Sequence, residues 1–257
     1  MPLTLPISPG LLAACMAIVF AAGVVRGFAG FGFSALSVAG MALLVSPARV
    51  VPAIFVLEVL ASLTLLRGAL RDVDWRWLGW LVLGNALFIP VGIALLAWLP
   101  EDPLRTVIGA LLLVAAVMLR SGFSLALQAT PLVRLTTGAV SGLVNGLAAI
   151  GGIAVAVLLS ASSIAPAALR ATLIVMFLFT DVWALAAAAA MPAGSGSRVL
   201  LGADTLWWAL WLAPAMLAGI WVGHRSFAGV SPQRFRQQVL NLLVALALLV
   251  IVRALLR

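Results

Sequence analysis

Long apolar segments separated by short polar stretches make up almost the whole chain. The segments lie at 9–25, 33–45, 47–66, 75–99, 103–119, 131–147, 153–159, 166–190, 206–222 and 235–256. Since an α-helix needs about 20 apolar residues to cross a bilayer, most of these segments predict membrane-spanning helices. The segments at 33–45 and 153–159 are too short for that, and they predict re-entrant or discontinuous helices. The pattern therefore predicts an all-α, polytopic integral membrane protein of about 8–10 helices.

Composition excludes a soluble domain. The 257 residues are 65% hydrophobic and 9% charged, with a mean hydropathy of +1.26, and a soluble core of this size cannot hide so many apolar side chains. The net charge of +8 comes from fifteen arginines that lie singly or in loops. This spacing suits the flanks of membrane helices, so we expect a lipid bilayer and no nucleic acid as partner. Because residues 1–10 show no basic stretch or cleavage pattern, we expect the first helix to stay inserted.

Glycine interrupts two of the apolar stretches. The stretch at 138–172 contains five glycines within fifteen residues, at Gly138, Gly142, Gly146, Gly151 and Gly152. Glycine lets a backbone bend and approach closely, and a break in a membrane helix is tolerated where neighbours satisfy the freed polar groups. The sequence therefore predicts a broken membrane helix here.

The glycine pattern occurs twice. Gly23-Val-Val-Arg-Gly27 aligns with Gly138-Ala-Val-Ser-Gly142 at an offset of 115 residues, and Gly92 aligns with Gly223 at an offset of 131. We attribute the growth of the offset to insertions near 160–163 and in the loop at 192–204.

The chain thus divides into two predicted repeats, 1–127 and 128–257, within one membrane domain. If the short glycine-linked helices cross the membrane, each half has five spans and the repeats are inverted. If they re-enter, each half has four spans and the repeats are parallel. The sequence leaves both alternatives open.

The two glycine motifs are the candidate substrate site. In transporters built from repeats, broken helices near the bilayer midplane aim half-helix N-termini at anionic groups. This layout predicts an anion site with backbone and side-chain contacts from Gly27, Gly30, Gly32, Gly142, Asn145, Gly151 and Gly152. The alternative is that glycines spaced four apart only permit close helix packing.

Arg26 and Arg170 are the cations nearest the two motifs. The planar guanidinium fork matches the paired oxygens of a sulfonate, a sulfite or a carboxylate, so both residues complete the predicted substrate site. The alternative for each is a side chain that extends to the membrane interface.

Glu58 and Asp181 are the only carboxylates well inside long apolar segments. Acidic groups at such depth are costly unless they are paired or functional, so we predict that both residues carry a coupling proton. The alternative is a structural ion pair with Arg26 or Arg170.

The repeat relates the two carboxylates to each other. Aligning the prolines that begin the third and eighth apolar segments gives an offset of 119 residues. At this offset Glu58 aligns with Phe177, and Asp181 aligns with Ser62. The two carboxylates therefore differ by one helical turn on equivalent helix faces.

Motifs of enzyme chemistry are missing from the sequence. It has no Walker loop and no Cys/His metal spacing, and the single His224 completes no Ser/His/Asp set. We therefore expect no enzyme, no metal and no cofactor.

Two motifs resemble a known family. GFAGFGFSALSVAG (27–40) followed by SPARVVPA, and SGLVNGLAAIGG (141–152) followed by APAALRATL, resemble the paired glycine-rich motifs of the sulfite exporter TauE/SafE permease family. In the first copy, Phe31 and Phe33 interrupt the fuller glycine run of the family. The resemblance implies a secondary transporter for a small anion, such as sulfite or an organosulfur anion like a sulfonate. It also implies a multi-pass location in the cell membrane, the inner membrane of a bacterium.

Two other functions fit the composition. A passive anion channel would use the same site without coupling to protons. A membrane-embedded structural subunit without transport would leave the repeated glycine breaks and the intramembrane carboxylates unexplained. The sequence assigns no oligomeric state.

Overall fold

The computed structural model describes residues 8–121, 130–152, 155, 165–191, 199–225 and 232–256, and the elements in these ranges are helices. In chain order they are α1 (Pro9–Ala29), α2 (Phe33–Ala42), α3 (Pro47–Ala69), α4 (Trp75–Trp98), α5 (Glu101–Arg120), α6 (Pro131–Ala148), α7 (Pro166–Ala190), α8 (Ala203–Arg225) and α9 (Pro232–Leu255). Within the same ranges, seven helices are long and apolar enough to cross a membrane. The prediction of an all-α, polytopic membrane protein is confirmed.

Helix starts follow local rules. Proline occupies the first turn of α1, α3, α6 and α7, where its missing N–H costs no hydrogen bond. The hydroxyl of Thr130 accepts from the Val133 N–H at the start of α6, at 3.3 Å. The predicted short helix of the first half is α2, with 10 residues. Its predicted counterpart at 153–159 lies outside the described residues, apart from Val155.

Glycine brings two pairs of helices into backbone contact. In the α1–α8 pair, a Cβ on Gly23 would lie 2.6 Å from the carbonyl oxygen of Met216, and a Cβ on Gly27 would meet the carbonyl of Ile220. The α4–α6 pair has the same layout, with Gly146 against the carbonyl of Ile89. Both pairs run parallel, because positions later in one helix meet positions later in the other. The remaining long helices pair α3 with α7 and α5 with α9.

Helix directions can be read from one end of the bundle. A cavity of about 390 Å³ is lined by Ser46, Glu101 and Asp204, so α3, α5 and α8 begin at the same face of the protein. A second cavity, of about 250 Å³, is lined by Leu11 of α1 and by Ser46, so α1 also begins at this face. Helix α4 ends three residues before α5 begins and therefore starts at the opposite face, as does α6, which runs parallel to it. Since α1 and α6 head the two predicted repeats, their opposite starts favour the inverted alternative.

The packing corrects the predicted alignment of the glycine motifs. The contact of Gly27 with Ile220 is equivalent to the contact of Gly146 with Ile89. Equivalent residues of α1 and α6 are therefore 119 positions apart in the sequence, and those of α4 and α8 are 131 positions apart. The offset of 115 was wrong by one helical turn, because glycine recurs every four residues from 138 to 146 and either alignment looks equally good. An insertion near 160–163 is then unnecessary, and the offset grows between α7 and α8.

The division into repeats at 127/128 stays a prediction, since that boundary lies outside the described residues. The predicted break is present, since α6 ends between the segments predicted at 131–147 and 153–159, but three of the five glycines do not form it. Gly138, Gly142 and Gly146 lie inside α6, which continues to Ala148.

Candidate functional site

The first half-site forms where α1 ends. Gly30 (φ 80°) and Gly32 (φ 92°) take left-handed backbone conformations that L side chains adopt at a cost, and this pair separates α1 from α2. The chain reverses here, so that the last turn of α1 and the first turn of α2 lie together. Arg26 is in that last turn.

Arg26 is fully buried, so it does not extend to the membrane interface. Its Nη2 lies 3.1 Å from Oε2 of Glu58 and donates to the hydroxyl of Ser62 at 3.1 Å. The guanidinium carbon stacks 4.7 Å above the ring centroid of Phe177. Three contacts from α3 and α7 thus hold one face and one nitrogen of the guanidinium. The ion pair considered as the alternative for Glu58 is present.

The guanidinium keeps unused donors. Among the described residues, Nε and Nη1 of Arg26 have no hydrogen-bond partner although both are buried. An arginine has five N–H donors, and an unmet buried donor costs about 1–3 kcal/mol. The half-site therefore has spare capacity for an acceptor that carries negative charge.

Glu58 accepts a second contact, from the start of α2. The Ser34 N–H donates to its Oε1 at 3.3 Å. The carboxylate therefore lies between a guanidinium and the N-terminus of a helix, two groups that also bind free anions. In this arrangement Glu58 holds the place that a small anion would take.

The second half-site forms where α6 ends. Ala149 has a left-handed backbone (φ 57°), and its N–H bonds to the carbonyl of Asn145. The Asn145 Nδ2 donates to Oδ1 of Asp181 at 2.9 Å, while its Oδ1 accepts from the Gly151 N–H at 3.2 Å. Asp181 is 1% exposed, and its Oδ2 has no hydrogen-bond partner within the described part of the chain.

Three further oxygens lie beside Asn145. The hydroxyl of Ser141 is 3.2 Å from Oδ1 of Asn85 and 3.1 Å from the carbonyl oxygen of Gly151. Asn85 fixes its own orientation by donating from Nδ2 to the carbonyl of Leu81 at 2.8 Å.

The two half-sites adjoin each other. Phe177 packs against the Arg26 guanidinium, and Asp181 follows one turn later on the same helix, α7. Arg170, half-buried, donates to the carbonyl of Gly27 at 3.4 Å. The structure therefore brings Arg26, Glu58, Arg170 and Asp181 into one cluster whose formal charges cancel.

The predicted glycines divide into three groups by position. Gly27 and Gly142 lie at helix–helix contacts, as the packing alternative described. Gly30 and Gly32 form the break after α1, and a Cβ on Gly30 would lie 2.5 Å from Cγ of Arg170. Gly151 bonds to Asn145, and a Cβ on the neighbouring Gly152 would meet the ring of Phe177. A substrate contact stays a prediction for each of them.

Sequence reasoning missed several polar residues of this cluster. Ser34, Ser62 and Ser141 were not predicted as site residues, because a single serine in an apolar helix is ordinary. Ser62 did carry a signal, since the repeat aligns it with Asp181.

One comparison with known proteins identifies a family for this chain. The family model described as sulfite exporter TauE/SafE matches residues 15–250, nearly the whole chain. Searches of curated proteins and of solved structures found no match. With its candidate membrane spans and this match over most of its length, the chain is a multi-pass membrane protein that belongs to the sulfite exporter TauE/SafE family.

Proposed function

We propose that this protein is a secondary transporter of a small anion, sulfite or an organosulfur anion such as a sulfonate, and that Arg26 binds the anion. The observation that supports this proposal most is a fully buried guanidinium at the break of a membrane helix, with two nitrogens, Nε and Nη1, that have no hydrogen-bond partner among the described residues. Membership of a family named for sulfite export supports the sulfur-containing class.

The neighbours of Arg26 suit an oxyanion. Nη2 is shared between Glu58 and Ser62, while Nη1 has no hydrogen-bond partner in the part of the chain that the structure describes. When Glu58 moves away, Nη1 and Nη2 together form the end of the guanidinium fork, which accepts two oxygens of one anion. Ser62 and the Ser34 N–H then supply further donors.

Charge balance favours coupling to a cation. The cluster of two arginines and two carboxylates is formally neutral, and an uncompensated charge within a membrane protein is costly. An incoming anion therefore has to arrive with positive charge or displace negative charge. We propose that a proton on Glu58 serves this purpose, because protonation releases Arg26 for the substrate. A proton on Asp181 stays a prediction.

The first test is a thermal-shift screen of purified protein in detergent. Sulfite, thiosulfate, a short sulfonate and acetate are compared at equal ionic strength, since a bound ligand stabilises by RT ln(1 + [L]/Kd). We expect a sulfur oxyanion to stabilise the wild type and to lose this effect in Arg26→Lys, since a point ammonium cannot replace the fork. The matched control is Arg49→Lys, which changes an exposed arginine.

The second test is flux in liposomes. We expect an imposed pH gradient to drive uptake of the anion that stabilises the protein. Flux that ignores the pH gradient would indicate the passive channel, and absence of both binding and flux would contradict the proposal.

A further inference from the structure

We propose that the second half-site binds a sodium ion, through the carboxylate of Asp181 and neighbouring oxygens of Asn85, Ser141 and Gly151. The inference rests on the proposed function, because it assigns this ion as a second coupling ion beside the proton on Glu58. A doubly charged anion, one proton and one sodium ion together would leave the net charge of the cluster unchanged.

The oxygens around Ser141 outnumber the available protons. The Ser141 hydroxyl lies within 3.2 Å of both Oδ1 of Asn85 and the carbonyl oxygen of Gly151, but it has a single proton to donate. The Asn85 Nδ2 donates to the carbonyl of Leu81, so that its Oδ1 faces Ser141. The Ser141 hydroxyl can therefore satisfy only one of these two acceptors at a time, and a metal cation would stabilise such a group of oxygens.

Asp181 supplies the negative charge of the proposed site. Asn145 connects the two groups, since it donates to Oδ1 of Asp181 and accepts from the Gly151 N–H. The other carboxylate oxygen, Oδ2, is buried without a hydrogen-bond partner among the described residues. Unlike Glu58, Asp181 makes no ion pair in that part of the chain.

The backbone adds to the favourable potential for a cation. Helix α6 ends at Ala148, and the C-terminal end of a helix carries a partial negative charge. In secondary transporters, unwound carbonyls and half-helix C-termini coordinate coupling cations. The site thus complements the first half-site, where the N-terminus of α2 faces a carboxylate.

Packing alone does not require polar groups at these positions. At the offsets of 119 and 131 given by the helix contacts, the first-half counterpart of Ser141 is Ala22, and the second-half counterpart of Asn85 is Met216. The same backbone contacts therefore form with alanine and methionine. At these two positions the polar residue lies in the half that contains Asp181, which supports a ligand there.

The ligand set selects a hard monovalent cation. All candidate donors are oxygens, and only one of them carries a formal charge. Among the described residues, no group of three or more His, Cys, Asp or Glu side chains could hold a multivalent metal. Sodium fits neutral oxygens with a single carboxylate.

The repeat also suggests two substitutions that the helix packing should tolerate. Ser141→Ala and Asn85→Met each introduce the residue that the other half carries at the same position. The matched control is Ser37→Ala, because Ser37 is a fully buried serine of α2 outside both half-sites.

The test measures thermal stability against sodium chloride at constant ionic strength, with choline chloride as replacement and no transported anion. We expect saturable stabilisation of the wild type and of Ser37→Ala. For Ser141→Ala and Asn85→Met we expect the half-maximal sodium concentration to rise about tenfold or more. Binding of radioactive sodium to immobilised protein provides a second readout that does not depend on melting.

The outcomes separate this inference from the proposed function. Anion flux that is driven by pH and indifferent to sodium, with no sodium binding, would overturn the sodium site and leave the transporter standing. Sodium binding without any anion flux would support the site and refute the transporter. Equal sodium responses in all variants would also overturn the assignment of these oxygens.

Discussion

If the substrate replaces the Glu58 carboxylate at Arg26, the variant Glu58→Gln should be less stable than wild type and should be stabilised more by an added anion. Glutamine keeps the Oε1 atom that accepts from the Ser34 N–H at 3.3 Å, and it removes the charge that lies 3.1 Å from Nη2. The variant therefore changes charge with little change in shape. It leaves Arg26 buried with Ser62 and Phe177 but without a counter-ion.

The size of the destabilisation follows from the burial of the ion pair. The side chains of Arg26 and Glu58 are 0% and 2% exposed, and removing one partner of such a pair costs about 3–5 kcal/mol. We expect the substrate-free variant to be destabilised toward this range. An added anion replaces the missing charge, and at 100 times its Kd it returns about 2.7 kcal/mol. Because the anion no longer competes with a carboxylate, its Kd should also fall.

The assay combines melting temperature with and without sulfite and flux under an imposed pH gradient. We expect a lower melting temperature than wild type, a larger upward shift on adding the anion, and flux that no longer follows the pH gradient. The matched variant is Asp181→Asn, which removes the other carboxylate and leaves the ion pair of Arg26 intact. An anion-induced shift in Glu58→Gln no larger than in wild type would refute the competition between Glu58 and the substrate.

Three further predictions concern the breaks and the packing. Gly142→Leu should lower the yield of folded protein, since its side chain would meet backbone, whereas Gly79→Leu, with open space around it, should match wild type in detergent melting. Arg170→Lys should reduce anion flux more than Arg71→Lys, because Arg71 is exposed outside the site. Equal, small effects would favour the alternative in which Arg170 extends to the membrane interface. Ala149→Gly should stabilise the protein by about 1 kcal/mol in urea unfolding, because it removes the left-handed strain of alanine, and an unchanged midpoint would argue against that backbone conformation.

The fold class could be predicted from the sequence because hydrophobic length dominates it. Segment ends were close to the helix ends, as for Pro166–Ala190, since proline, glycine and tryptophan mark them locally. Helix direction was beyond the sequence, because it depends on which helices pack together. The contacts of Gly27 and Gly146 supplied that information.

The charged members of the site could be found because charge is rare in this chain. Arg26, Glu58 and Asp181 stood out as ionisable groups in apolar segments, and they do lie together. Among the neutral partners, Asn145 was predicted, whereas the serines could not be found in the same way. Ser141 and Asn85 belong to the site because they contact each other, and this contact depends on how α4 and α6 pack. The sequence of either helix does not reveal that packing.

The segment ends at 147 and 153 placed the second break correctly, but the sequence did not show which glycines form it. Glycine is dense from 138 to 152, but Gly138, Gly142 and Gly146 serve close packing within α6, and the turn falls at Ala149. Four-residue glycine spacing is compatible with a continuous helix.

The central claim, that a small sulfur oxyanion binds at Arg26 and is transported, is tested most directly by replacing the buried pair as a unit. A double variant, Arg26→Met with Glu58→Met, removes both charges together, and replacing a buried ion pair by apolar side chains is often neutral or stabilising. Radioactive sulfite uptake into liposomes is measured for wild type and for this variant, with melting temperature as the check on folding. We predict saturable uptake by the wild type and none above background by a double variant that melts as high as wild type. Wild-type uptake by the double variant would contradict the account.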